Sequence, residues 1–361
     1  MTVHVVDLES IETRYTCEWK THIPELLNNH GLHVNVISGP AVLPKNPESG
    51  TFLNFAATNI YKAKQIELMS KMFVDNKVKD GDYFLFTDAW HPGIINLKYM
   101  ASLLCYDIKI GGLFHAGSWD KYDILGQVIK DAPWCGHAES AMFHALDHCF
   151  FATQFHIDMF CQYILYNQDY HSYIKNGKIV KTGWPMEYMK TTLARYSDIK
   201  KENLILFPHR LSSEKQLDIF LDLKKAMPEF QFVVCQEQTL TKKEYHTLLA
   251  KSKIVFSASL QETLGISVAS EAPLLNSVPV APNRLSYKEI FAGYKGFLYP
   301  SEWTESYQAY LANKESLILK LKEVITHYPL YLASISRYLS HTHNDYFTAD
   351  TLIKVIQGTQ E

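Results

Sequence analysis

The chain has 361 residues, 47% of them hydrophobic and 20% charged, with a formal net charge of -3. At about 150 residues per domain that length implies two domains, and the balance excludes a disordered chain. The slightly acidic charge excludes a surface dominated by phosphate-binding basic groups, so a nucleic-acid partner must be gripped locally.

Met1–Asp7 reads as a first strand without a signal-peptide charge pattern, and no apolar run reaches the roughly 18 residues that cross a bilayer. No membrane span is expected, and the expected location is cytoplasmic. Strand-like runs follow at Val3–Val6, His33–Ile37, Tyr83–Phe86, Ile108–Leu113 and His148–Ala152, then at Leu204–Phe207, Phe230–Cys235, Ile254–Ala258 and Val278–Ala281. Helix-length segments separate them, which predicts an α/β chain with parallel, doubly wound sheets. The turn-rich Lys181–Glu187 and the polar Ser197–Asn203 mark the linker. The expected organisation is two Rossmann-like domains facing across a cleft, residues 1–195 and 196–340, with 341–361 a C-terminal helix returning to the first domain. From Ser306 onward the pattern is helical.

In the first half, the loop after the first strand carries Glu12, Arg14 and Tyr15, which are acceptor-side candidates; a helix start capped by Ser10 or Thr13 explains the same residues. Phe86–Gly93 and Gly111–Asp120 both follow strand-like runs, and ligands collect at the carboxyl ends of parallel strands. Asp88, His91, His115 and Asp120 are therefore cleft candidates, with Trp90 and Trp119 as stacking platforms. Each has a plain alternative, since loop acids cap helices and tryptophans fill cores. Asp80-Gly-Asp82 spells a metal-binding D-x-D but holds a turn glycine just before a strand, so it reads as a turn. His144 and His148 have i,i+4 spacing without a third ligand, and with His137 and Asp147 read as structural. The six cysteines form no C-x-x-C pair and read as reduced thiols. No metal or other cofactor is expected.

In the second half, Leu204–Gln216 runs from a buried strand through a short loop to a helix start, with Ser213 and Gln216 spaced as a capping box. Helix-terminal amides attract phosphate, and Arg210 and Lys215 add charge in the same small volume. A solvated surface loop is the alternative. Ile254–Ala272 repeats the strand, loop and helix order, with Glu262-Thr263-Leu264-Gly265 at the turn and Glu271 beyond. Gly265 permits close backbone approach, and carboxylates accept hydrogen bonds from sugar hydroxyls. A cation pair on one strand end and a carboxylate pair on another suit a nucleotide sugar.

These residues, from Asn203 to Pro282, resemble family 4 of the GT-B glycosyltransferases, with a P-x-R-x-x-x-x-K-type phosphate loop and a downstream E-x7-E. The resemblance implies that Arg210 and Lys215 hold the donor diphosphate, Glu262 meets the transferred sugar and Glu271 the ribose; Gln236 is where base contacts are sought. It also implies a retaining reaction that needs no metal. An inverting reaction would instead take Asp88 or His115 as base. Here eight residues separate Glu262 from Glu271, and Pro273 follows. Either the helix carries a bulge or kink, or Ser270 takes the second glutamate's place. Phrases including Phe86–Ile94, Leu113–Asp120, Gly183–Tyr188 and Phe256–Ile266 resemble bacteriophage transferases that glycosylate hydroxymethylated cytosine in DNA, arabinose-transferring ones among them. That implies a UDP-sugar, carrying arabinose or a hexose, and modified double-stranded DNA as partners. A transferase acting on an envelope polysaccharide or lipid-linked glycan, and a non-catalytic nucleotide-binding scaffold, are the alternatives.

Overall fold

In the computed structural model, which describes residues 1–11, 14–41, 54–129, 132–165 and 170–359, apolar strands alternate with helices to build two parallel sheets. The first contains β1 (Thr2–Val6), β2 (His33–Ile37), β3 (Tyr83–Phe86), β4 (Lys109–Phe114), β5 (His148–Phe151) and β6 (Ile179–Lys181), in the order β2-β1-β3-β4-β5-β6. The second contains β7 (Glu202–Phe207), β8 (Gln231–Val234), β9 (Ser252–Phe256), β10 (Val278–Pro282) and β11 (Leu298–Tyr299), in the order β11-β10-β9-β7-β8. Central strands such as β3 and β10 are buried along their whole length, because helices cover both faces of a parallel sheet. Two strands escape the sequence pattern, β6 and β11. Both are edge strands of three residues or fewer, too short to show a period.

The chain divides into two compact units, each with its own sheet. One comprises Met1–Ala152, His156–Pro185 and Ala349–Glu361; the other comprises Thr153–Phe155 and Met186–Thr348. Phe84, Phe86, Phe114, Phe151 and Phe160 centre the first core, and Phe207, Phe220, Phe256 and Val280 the second. Each such side chain contributes roughly 1.5–3 kcal/mol by leaving water. From Ser306 onward the described residues outside short connections are helical, the longest helices being Tyr307–Thr326 and Tyr328–His341.

The turn Asp80-Gly81-Asp82 is built as a turn: Gly81 takes φ 83°, and Asp82 accepts the Thr2 and Lys79 amides at 2.8 and 2.9 Å. His148 bonds Tyr83 through Nδ1 at 2.9 Å. All six cysteines are free thiols. Among the described residues no helix is long and apolar enough to cross a membrane.

Candidate functional site

β7 and β9 are neighbours in parallel register, Leu206 opposite Val255, so the chain leaves both at one carboxyl edge. After β7 a single 3-10 turn, Ser213–Lys215, precedes the helix Leu217–Ala226. The Ser213/Gln216 capping box is therefore not formed. Gln216 is itself the cap residue, at φ 54°, and its amide donates instead to the carbonyls of Ala258 and Thr304 at 2.6 and 2.7 Å. The tight turn carries Lys215 inward until only 5% of it is exposed. Its Nζ donates to the Gln261 carbonyl at 2.5 Å and lies 3.4 Å from Glu262 Oε2. A solvated surface lysine is thereby ruled out, because a buried ammonium must be paired. Arg210 keeps 37% of its side chain exposed, donating from Nε to Ser212 at 3.0 Å and from Nη2 to Glu214 at 2.7 Å.

Gly265 has φ 75°, and a Cβ there would lie 2.6 Å from the ring of buried Tyr287, so the turn needs glycine. Helix follows from Ile266. Two helix N-termini thus stand at adjacent strand ends beside Arg210 and Lys215, an arrangement that favours anions. Leu264 is fully buried and the Thr263 carbonyl accepts the Thr153 hydroxyl at 3.0 Å, so Leu264 has only its backbone to offer a ligand.

Two supporting residues are not legible in the sequence motifs. Arg284 donates to the carbonyls of Ala258, Ser259 and Ser301 at 2.7–2.9 Å, bracing the loop after β9. His209, between β7 and Arg210, is buried with Nε2 unpaired; burial, then the charges of Lys215 and Arg210, drive its pKa well below normal and keep it neutral. Its position beside the motif arginine is the only signal it gives in sequence.

The extra residue between Glu262 and Glu271 is taken up by a π-helical turn, Ser267–Glu271, in which the Ala272 amide bonds the Ser267 carbonyl five residues back. The helix thus carries a bulge at this spacing. Ser270 turns inward, fully buried, with Oγ 2.8 Å from His343 Nε2. Glu271 stays partly exposed, accepting the Tyr245 hydroxyl at 2.7 Å with His246 Nε2 at 3.3 Å. Its charge also reaches Cys235, whose thiol is pushed up to about 12 by burial and then by Glu271. Gln236, the next residue, is exposed in the short turn after β8.

In the first unit, Asp88 and His115 come together at the carboxyl edge of β3 and β4. Asp88 takes Lys62 Nζ at 3.1 Å and the Trp90 amide at 3.0 Å, and Lys62 also donates to the Trp90 carbonyl. Burial works to raise its pKa, but the charge of Lys62 with these bonds outweighs it, and Asp88 is held below the usual carboxylate range. Lys62 sits in the helix Phe55–Val74, far in sequence from its partner, which is why no motif exposes it. His115 Nε2 lies 2.6 Å from the Thr87 carbonyl, so this nitrogen carries the proton and Nδ1 accepts the Tyr15 hydroxyl at 2.7 Å. Burial lowers its pKa despite the charge of Asp88.

The remaining first-unit candidates are placed structurally. His91 is 3% exposed, accepts the Gly93 amide at Nδ1 and faces Gln65 Oε1 from Nε2 at 3.0 Å; burial pulls its pKa to about 3. Trp119 packs in the core against Phe114 and Phe160, leaving no open face for stacking, whereas Trp90 is half-buried with Nε1 on Glu139 at 2.8 Å. Asp120 is buried and accepts the Tyr122 amide at 3.0 Å, as a loop acid does. Arg14 is the N-cap residue of the helix Tyr15–Asn29 without a side-chain cap, so Ser10 does not cap it, and its guanidinium lies 5.9 Å from the Tyr15 ring centroid. Glu12 and Thr13 lie outside the described residues.

No protein-family model matches the chain, and no curated protein matches it. Solved structures do. HepE from Anabaena in complex with UDP and glucose superposes with a TM-score of 0.56 at 14% identity, covering 99% of each chain. Sucrose-phosphate synthase from Thermosynechococcus elongatus gives 0.60 at 10% identity over 99% of this chain and 97% of its own. An alpha-glucosyltransferase in complex with UDP and a 13-mer DNA containing an HMU base gives 0.55 at 11% over 99% of both. The chain therefore has the fold of the GT-B nucleotide-sugar glycosyltransferases.

Proposed function

We propose that this protein is a glycosyltransferase that takes a sugar from a UDP-sugar and attaches it to a hydroxymethylated base, 5-hydroxymethylcytosine, in double-stranded DNA. The observation that carries the donor half is the buried Lys215, set against Glu262 at the strand end where Arg210 and two helix N-termini also stand. Arg210, Lys215 and the helix-terminal amides would bind the diphosphate and stabilise its charge as the bond to the sugar breaks, so no metal is required. Glu262 would meet the sugar, Thr263, Leu264 and Gly265 would line the turn with backbone, Glu271 would meet the ribose and Gln236 the base. The donor half is assigned to residues 196–340.

The acceptor half is assigned to residues 1–195, with Asp88, His115 and Tyr15 as its polar groups, Arg14, His91, Trp119 and Asp120 as further acceptor-side residues, and Glu12, outside the described residues, as a further candidate. Reaction with retention is proposed: the acceptor hydroxyl adds on the face from which the diphosphate departs, and its proton passes to the departing phosphate oxygen. The engagement of both His115 nitrogens favours this over an inverting reaction with His115 as base. The DNA acceptor is supported by the resemblance of the Phe86–Ile94 and Leu113–Asp120 loops and by a fold shared with a DNA-bound alpha-glucosyltransferase. The transferred sugar is arabinose or a hexose, and the setting the cytoplasm.

The test is incubation with a panel of UDP-sugars and hydroxymethylated or plain DNA, digestion to nucleosides and mass measurement. A pentose or hexose increment on the modified base alone is expected. Donor hydrolysis without any increment would overturn the DNA acceptor but keep the enzyme, and binding of a UDP-sugar with neither hydrolysis nor transfer would leave a non-catalytic nucleotide-binding scaffold.

A further inference from the structure

Pro273 sits two residues after Glu271, inside the helix that carries it, and has no N–H to offer the Ala269 carbonyl four residues back. Ala269 is fully buried, and a buried carbonyl left without a donor is costly. Tyr338, from the helix Tyr328–His341, supplies the missing donor: its hydroxyl bonds the Ala269 carbonyl at 2.7 Å, entirely buried. Five residues on, His343 pairs through Nε2 with Ser270, the residue turned inward by the π-helical turn, at 2.8 Å. The two consecutive residues before Glu271 are thus each held by a separate side chain from the C-terminal helices. All of these groups belong to the second unit.

We infer that Tyr338 and His343 are positioning residues for nucleotide binding: they fix the one-residue bulge in the phase that presents Glu271, instead of Ser270, to the ribose of the donor. The inference rests on the proposed role of Glu271. Without these two bonds the turn has an alternative in which the segment relaxes toward regular helix. Residues there advance by about 100° each, so absorbing one extra residue without a bulge rotates Glu271 off the face it shares with Tyr245 and His246. Tyr338 and His343 touch no ligand in this scheme. They act through the backbone of Ala269 and the side chain of Ser270.

The test compares UDP with 2′,3′-dideoxy-UDP by calorimetry, because a ribose contact is lost with the hydroxyls while the diphosphate grip remains. The wild-type chain is expected to prefer UDP on the order of tenfold, the size of one hydrogen bond to a carboxylate. Tyr338→Phe is expected to erase that preference by weakening UDP alone. Adding Pro273→Ala, which returns an N–H in reach of Ala269, is expected to restore it. Equal weakening of both ligands, or an undiminished preference in Tyr338→Phe, would overturn the positioning role. If Tyr338→Phe does not fold, His343→Gln carries the same comparison. A wild-type chain that binds both ligands equally removes the ribose role of Glu271 and this inference with it, whereas one that binds neither removes the donor reading itself.

Discussion

Lys215 and Glu262 stand 47 residues apart in the chain and 3.4 Å apart in space, an ammonium and a carboxylate meeting where β7 and β9 end side by side. The lysine is almost wholly buried, and it also donates to Gln261, to the backbone carbonyl at 2.5 Å and to Oε1 at 3.4 Å. In the proposed donor site this cation meets the diphosphate. Lys215→Met is expected to weaken UDP about 10- to 100-fold, the range for losing a charge-assisted hydrogen bond, as read by calorimetry. Unchanged affinity would remove Lys215 from the diphosphate site.

Gly265→Ala would combine an unfavourable φ of 75° with a Cβ 2.6 Å from a Tyr287 ring that has no room to retreat. A loss of about 1–3 kcal/mol is expected, seen as a lower urea midpoint at constant slope. A stability equal to wild type would show that the turn accommodates a side chain.

Asp88 is held ionised by Lys62, and both lie in the first unit, remote in sequence from the diphosphate candidates. Asp88→Asn and Lys62→Met are each expected to lower kcat for transfer to acceptor at least about tenfold while leaving UDP affinity unchanged, the pattern of a group used after donor binding. Nuclear magnetic resonance of the product should show the donor's anomeric configuration preserved. An inverted product would recast Asp88 as a general base.

Burial depresses the pKa of His91 and His156 to about 3 and of His343 to about 4. In the unfolded chain these imidazoles take up protons below about 6.5, which the folded state refuses, so their contribution to stability is complete above that pH and falls away as pH drops toward the folded values. Each adds a slope of about 1.4 kcal/mol per pH unit in that window. Denaturant titrations at pH 6, 5 and 4 should show His91→Gln losing stability less steeply than wild type by one such increment. Parallel slopes would mean that His91 is protonated in the folded protein.

The two parallel sheets were legible in the sequence, because strands buried on both faces read as continuous apolar runs: β3 is buried throughout and matches the run at Tyr83–Phe86 residue for residue, while the edge strand β2, exposed over most of its length, matches His33–Ile37 in its bounds. The sequence also located the paired strand ends with Arg210, Lys215, Glu262 and Gly265, since charged residues and a glycine directly after a buried strand are a local pattern. Only the tertiary structure decided the rest. The phase of Glu271 depends on a π-helical turn held by Tyr338 and His343, about 70 residues on. Whether Lys215 was solvated or buried depended on the β9 loop folding over it, and whether Trp119 or Trp90 stayed partly open depended on how deeply each enters the first core. Lys62 became a partner of Asp88 only through the packing of a helix against a strand end. Local periodicity and turn chemistry are written in neighbouring residues, whereas burial, helix phase and charge pairing are set by segments that meet only once the chain has folded.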